Sequence, residues 1–299
     1  MKKSLTIIHL MYKLFKKREI KMKNIVKVLK KFAVALVLIP AISFSADGKN
    51  SIDIIKEKGK VRIGVFSDKA PFGYLDSNGK NQGFDIVIAK KLTKELLGDE
   101  NKVDFILLEP ANRVEYLETN KVDIVLANFT VTPERKQKVD FANPYMKVAI
   151  GVVSPEAKPI KSIADLKDKK LIVTKGTTAE VYFTKKHPEI DLLSFDHISE
   201  SFTALKDGRG VAFSQDNTLL FAWAKQNPGF VTGIDSLGEQ DTIAPAVKKG
   251  NIVLLNWINE TLEKLGKENF IHKAYDETLK PIYGDSVNIE SVVIEGGKI

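Results

Sequence analysis

The chain has 299 residues, 43% of them apolar and 28% charged, with no cysteine and 46 Lys+Arg against 38 Asp+Glu. These fractions exclude a disordered, collagen-like or disulfide-built protein, and the missing cysteine excludes thiolate metal sites, cysteine nucleophiles and a lipid-anchoring cysteine. The net charge of +8 is local: positions 1–46 hold eleven Lys/Arg and one acid, the other 253 residues hold 35 basic and 37 acidic side chains, and the case for a basic nucleic-acid-binding surface disappears.

Met22 opens a second possible start. From it, the basic stretch MKNIVKVLKKF leads into the 12-residue apolar run AVALVLIPAISF and then SADGKN. Basic, apolar and small-residue regions in that order make a Sec signal peptide. The run is shorter than the roughly 20 residues of a bilayer span, and Pro40 interrupts it, although a short membrane anchor is the alternative. Residues 1–46 are therefore expected to be a signal peptide with an over-extended start. The rest is expected to be exported to the periplasm and, lacking cysteine, not to be a lipoprotein.

Beyond Ser51, strand-like and helix-like stretches alternate. Val61–Phe66, Val103–Leu108, Val122–Ala127, Val148–Val153, Leu171–Thr174 and Val211–Ser214 read as buried strands. Phe84–Leu97 carries the helical stripe Phe84, Ile88, Leu92 and Leu96. Ala111–Thr119, Thr218–Lys225, Leu254–Leu265 and Lys267–Leu279 also read as helices, with a polar tail after them. The alternation predicts an α/β fold with largely parallel sheets. Tyr145–Gly151 and Thr242–Val247 are apolar, extended and free of flexible linker composition. They are expected to be two crossings at a hinge, giving a first lobe of residues 47–146 and 246–299 and a second of 147–245.

Three strand ends carry the chemistry. At Ala127-Asn128-Phe129-Thr130-Val131-Thr132-Pro133-Glu134-Arg135, Thr132 is a good N-cap and Pro133 fits the first helical position. Arg135, in the first turn, either clamps a carboxylate with its planar fork or is a surface Arg after an ordinary helix start. At Lys175-Gly176-Thr177-Thr178, a glycine before a helix start presents backbone N–H groups suited to an anion; a capped helix start is the alternative. Asp216, between a strand and a helix, either holds an ammonium group or serves as an N-cap. Together, a guanidinium, two sets of helix-start donors and one carboxylate at the carboxyl ends of strands describe a site for an α-amino-acid zwitterion.

At these residues the sequence resembles the bacterial polar amino-acid solute-binding proteins of ABC transporters, over roughly residues 51–299. The likeness rests on Arg62-Ile63-Gly64-Val65, Ala70-Pro71-Phe72-Gly73-Tyr74, Gly83-Phe84-Asp85-Ile86, Lys121-Val122-Asp123-Ile124, Thr132-Pro133-Glu134-Arg135, Val139-Asp140-Phe141 and Lys175-Gly176-Thr177-Thr178. Within the family it is most similar to a cysteine-binding member, through Ala127-Asn128-Phe129-Thr130, Asp216-Asn217-Thr218-Leu219-Leu220-Phe221-Ala222-Trp223 and His272-Lys273-Ala274-Tyr275-Asp276-Glu277-Thr278, together with the closing Val293-Ile294-Glu295-Gly296-Gly297-Lys298-Ile299. The resemblance implies a two-lobed type II periplasmic binding fold with its ligand in the interlobe cleft. It implies that Arg135 pairs with the ligand carboxylate, helped by Thr130, the Asn128 backbone and the Thr178 backbone N–H, and that Asp216 takes the ammonium; Thr177 is a further candidate ligand-binding residue. It further implies a small polar amino acid, L-cysteine, as ligand and an inner-membrane ABC permease as partner.

The sequence departs from the family where an aromatic side chain usually stacks on the ligand: Lys69 stands there. Phe66 is either the replacement wall or a core residue, and Lys69 either a ligand contact or a solvated loop charge. Arg113 either favours an acidic or thiolate-bearing side chain or is salt-bridged within its own lobe. The three histidines after the leader, His187, His197 and His272, have no metal-ligand spacing, so no metal and no cofactor is expected. Glutamate or aspartate is the alternative ligand. The alternative function is that of the cyclohexadienyl dehydratases on the same fold, for which only Asp216 and Lys69 could serve as a general acid; the expectation is a binding protein and not an enzyme.

Overall fold

The computed structural model describes residues 50–298, so the targeting segment expected over residues 1–46 lies outside the described part. Among the described residues no helix is long and apolar enough to cross a membrane. In chain order the strands of the first half are β1 (Val61–Val65), β2 (Asp68–Lys69), β3 (Gly73–Leu75), β4 (Asn81–Gln82), β5 (Val103–Leu107), β6 (Ile124–Val125) and β7 (Val139–Phe141). They are followed by β8 (Met146–Pro155), β9 (Lys170–Thr174), β10 (Asp191–Phe195), β11 (Ala212–Asp216), β12 (Phe230–Ile243) and β13 (Ala246–Lys248).

Two five-stranded sheets organise the α/β fold, in the orders β5-β1-β6-β13-β7 and β10-β9-β11-β8-β12. Each mixes directions. β1 pairs in parallel with β5 and β6, but β13 runs antiparallel to β6 and β7. In the second sheet β9 is parallel to β10 and β11, while β8 is antiparallel to β11 and β12. The expectation of largely parallel sheets is corrected here. Classical strand–helix–strand units build only half of each sheet; the two long crossing strands and the return strand β13 enter against that direction.

The crossings are β8 and β12, which pair from Met146 opposite Ile243 out to Pro155 opposite Phe230. β12 has 14 residues and three irregularities in its register, and the sequence pattern missed it. Its stretch Asp235–Asp241 is largely polar with Gly238, so it shows no apolar alternation. At the hinge, Tyr145 donates its N–H to the Ile243 carbonyl and Ala244 donates to Phe129. The tail is not a loose polar end. Val292, Val293 and Ile294 are buried, Met146 forms a bridge with Val293, and Lys147 N–H donates to the Val292 carbonyl. Three consecutive apolar residues thus tie the chain end to the first crossing.

The helix Phe84–Leu97 forms as its apolar stripe predicts and buries Phe84, Ile88, Leu92 and Leu96. Asp85, on the same helix, is fully buried. Gly83 before it has φ +115, and a Cβ there would meet the Phe72 carbonyl oxygen at 2.4 Å, so only glycine fits. The helix expected over Ala111–Thr119 begins as a tight turn at Pro110–Asn112 and becomes α-helical from Arg113 to Glu118. The strand expected over Val122–Ala127 pairs only at Ile124–Val125.

Candidate functional site

A small cavity between the two sheets is lined from both sides. Phe66, Lys69, Arg113, Asn128, Thr130 and Arg135 come from the part carrying the first sheet; Thr177, Thr178, Gln215 and Asp216 come from the part carrying the second. All nine side chains singled out in the sequence therefore converge on one cavity, with Gln215 added.

Arg135 is placed as its motif predicts. The Thr132 hydroxyl accepts the Arg135 N–H at 3.2 Å, and Pro133 sits at the first helical position. The guanidinium donates to the Thr130 carbonyl (2.7 Å) and, across the cleft, to the Gly176 carbonyl (2.9 Å). Arg113 reaches the same Gly176 carbonyl (3.1 Å) and also bonds the carbonyls of Pro110, Ala127 and Asn128. It has no carboxylate partner, so the reading in which Arg113 is salt-bridged within its own lobe does not hold. Both guanidinium carbons lie over Phe129, at 4.4 Å for Arg113 and 4.7 Å for Arg135. Burial lowers both acidities' midpoints: Arg135 falls to about 10, and Arg113 falls well below its ordinary value, with the neighbouring Arg135 charge adding to the effect. Two guanidinium groups held this close favour an anion between or before them.

Lys69 is not a solvated loop charge. It is 2% exposed, and its Nζ lies 2.6 Å from both the Asp216 carboxylate and the Asn128 side-chain carbonyl. Burial pulls the Lys69 ammonium down from its ordinary value, and the Asp216 charge opposes that shift. Phe66 is fully buried yet forms part of the cavity wall, with Lys69 Nζ 5.6 Å and the Arg113 guanidinium 5.5 Å from its ring.

Asp216 ends β11 and precedes the helix Asn217–Gln226, but its side chain makes no capping bond. The ordinary N-cap reading is thereby set aside: the carboxylate turns into the cleft. Asn128 adopts the left-handed φ of +44, which asparagine tolerates better than most residues. Its backbone is already engaged, with the N–H donated to Asp85 Oδ2 at 2.8 Å and the carbonyl accepting from Arg113, so its side chain rather than its backbone faces the cleft charges. Asp85 also accepts from the Tyr145 hydroxyl at 2.8 Å; burial raises its carboxyl to about 6 despite these bonds.

Thr177 is the N-cap of the helix Thr178–Lys186. Its hydroxyl donates to the Thr174 carbonyl (2.6 Å) and accepts from Glu180 N–H (3.2 Å), so Thr177 contributes wall and helix geometry, not a free hydroxyl donor. Thr178 occupies the first helical position, where a backbone N–H has no intrahelical acceptor. Gly176 carries two requirements at once. Its φ is +73, and a Cβ would stand 2.5 Å from Ala111 Cα across the cleft.

Two features escaped the sequence. Gln215 is 1% exposed, and its Nε2 has no hydrogen-bond partner, while its Oε1 accepts from Asp216 N–H. It belongs to an all-buried strand, where a lone amide gives no local signal. The second is a set of contacts at the cleft mouth. Asp68 Oδ2 accepts the Ser199 N–H at 2.9 Å, and His197 Nδ1 lies 3.0 Å from Glu109 Oε1. No histidine spacing suggests a metal, yet Asp68, Glu109 and His197 bring three possible ligand atoms within 4.8 Å of one another. Their short contacts to each other and to Ser199 make them a latch between the two sides.

The chemistry of the cavity is that of a clamp. Buried Lys69 and Arg113 and half-buried Arg135 supply three cations, Asp216 supplies a carboxylate, and the helix start at Thr178 adds a donor, with Asp85 buried behind Asn128. The family described as bacterial extracellular solute-binding proteins, family 3, matches residues 61–280. The ABC transporter glutamine-binding protein GlnH of Bacillus subtilis is 35% identical over 235 residues, which are 78% of this chain and 85% of that protein. The solved solute receptor for L-cysteine of Neisseria gonorrhoeae is 59% identical, with a TM-score of 0.81, and the match covers 82% of this chain and 99% of that one. The cysteine-binding protein of Campylobacter jejuni is likewise 59% identical, with a TM-score of 0.82, and the match covers 83% and 100%.

Proposed function

Because the chain belongs to the bacterial extracellular solute-binding proteins of family 3, the amino-acid-binding components of ABC transporters, we propose that it captures L-cysteine in the periplasm and delivers it to an inner-membrane permease. Its lobes are 47–146 with 246–299 and 147–245. The observation that carries this reading is the interlobe cavity in which three cations, two of them buried, face the Asp216 carboxylate. In it, Arg135 and the Thr178 N–H take the α-carboxylate, and Asp216 takes the ammonium, displacing Lys69. Phe66 and Thr130 form the wall beside them. The ligand bridges both sides, so binding and closure are one equilibrium. The 59% identity to two cysteine receptors supports cysteine over other polar amino acids. No step of this reading transforms the ligand.

Glutamate or aspartate is a second reading, favoured by the surplus of cations around Arg113. Thermal unfolding of ligand-free protein against the twenty amino acids and prephenate tests both. A ligand at 100 times its Kd stabilises the folded state by about 2.7 kcal/mol. A shift with cysteine is the expected result. A shift with glutamate or aspartate alone would replace cysteine by the second reading, and turnover of prephenate would overturn the binding-protein function.

A further inference from the structure

We infer that the cleft holds L-cysteine as its thiolate, with Lys69 as the counter-ion of the sulfur. The inference rests on the cysteine reading above and follows from the partners of Lys69. The charges acting on Lys69 are Asp216, Asp85 and Arg113; Arg135 shares its cavity and is itself faced by Asp216, Asp241 and Glu134. Among the described residues, Asp216 is the one carboxylate hydrogen-bonded to Lys69, so a ligand ammonium that takes Asp216 leaves the lysine charge buried without its partner. A cysteine thiolate brings that negative charge with the ligand.

The geometry supplies the reason Lys69 is the partner. It is tied to Asp216 and Asn128, both at 2.6 Å. An incoming ammonium that claims Asp216 strips Lys69 of its only anionic hydrogen-bond partner while leaving it 2% exposed. Arg113 is 5.5 Å from the same Phe66 ring and repels it further. An anionic sulfur in the cavity restores a partner. The Gln215 amide nitrogen, buried in the same wall without an acceptor, is a second donor for it. In the step itself the S–H bond breaks, its electron pair stays on sulfur, and the proton passes to the buffer. A cation beside a thiol favours that loss.

The test is calorimetric titration at pH 7 in two buffers of different ionisation enthalpy, alongside ultraviolet difference absorbance of the thiolate. Free cysteine thiol is almost wholly protonated at that pH, so about one proton should be released per cysteine bound, with thiolate absorbance appearing. L-serine and S-methyl-L-cysteine should bind at least tenfold more weakly and release none. In K69M, cysteine should bind at least tenfold more weakly and without the absorbance change. Cysteine binding to the native protein with neither proton release nor thiolate absorbance would overturn the inference and leave the function standing. Equal proton release with serine would also overturn it, by assigning the proton to the protein. Failure to bind cysteine at all would instead overturn the function on which it rests.

Discussion

Lys69 Nζ and Asp216 Oδ2 lie 2.6 Å apart, on opposite sides of the cleft, and each side chain is at most 5% exposed. The lysine stands where the proposed function places the ligand ammonium. The same carboxylate thus stabilises the closed arrangement and is the group a zwitterion must win. Buried ion pairs tolerate exchange of one partner but not its loss.

Asp216→Ala and Arg135→Ala should each weaken binding of the cognate amino acid by at least a hundredfold, measured calorimetrically. Removing one partner of a buried ion pair costs about 3–5 kcal/mol. Arg135→Lys should recover little of the loss, because a lysine cannot reproduce the two-pronged guanidinium contact. Near-native affinity in both alanine variants would dismiss the clamp.

Gly176→Ala should impair closure more than folding. The new Cβ meets Ala111 only when the sides come together, at 2.5 Å from its Cα. The φ of +73 adds a local penalty of about 1–2 kcal/mol for any residue with a Cβ. Small-angle scattering should show the variant remaining expanded at ligand concentrations that compact the native protein. An unchanged compaction would show that the contact yields cheaply.

The mouth latch should tune dissociation. Asp68→Ala removes the acceptor of the Ser199 N–H, and His197→Ala removes the contact to Glu109. Both pairs are partly solvated, and each is worth at most about 1 kcal/mol. Each variant should release ligand up to about fivefold faster in stopped-flow dissociation, with little change in association. Unaltered dissociation in the double variant would remove the latch from the account.

Asp85 gives a pH signature with a definite sign. Burial raises its carboxyl to about 6, above the ordinary unfolded value of about 3.9. The folded state therefore binds the proton more tightly. The Asp85 contribution to stability is complete below about pH 4 and is lost as the pH rises through about 6. In denaturant unfolding, the native protein should gain stability relative to Asp85→Asn on acidification from pH 7 to 4. A difference independent of pH would show that Asp85 is not the titrating group.

Much of the site was legible because its donors sit at strand-to-helix junctions with local signatures. Arg135 follows a Thr-Pro pair that caps its own helix, and Thr178 follows a glycine and an N-cap threonine. Asp216 was ambiguous because a carboxylate before a helix is also an ordinary cap; only the fold shows the side chain turned away from that task. Lys69 was open for the opposite reason. Its burial depends on Asp216, 147 positions away, and nothing local reports it. Gln215 and the contact of Asp68 with Ser199 belong to the same class, since they exist only once two distant segments meet. The mixed sheet directions were hidden because β12 is too polar and too irregular to read as a strand.

The most direct test of the clamp is a crystal structure of the protein grown with L-cysteine. The account predicts the ligand carboxylate on Arg135 and the Thr178 N–H, its ammonium on Asp216, and Lys69 drawn off Asp216 toward the sulfur. A cysteine bound elsewhere, with the Lys69–Asp216 pair intact at its present 2.6 Å, would contradict it.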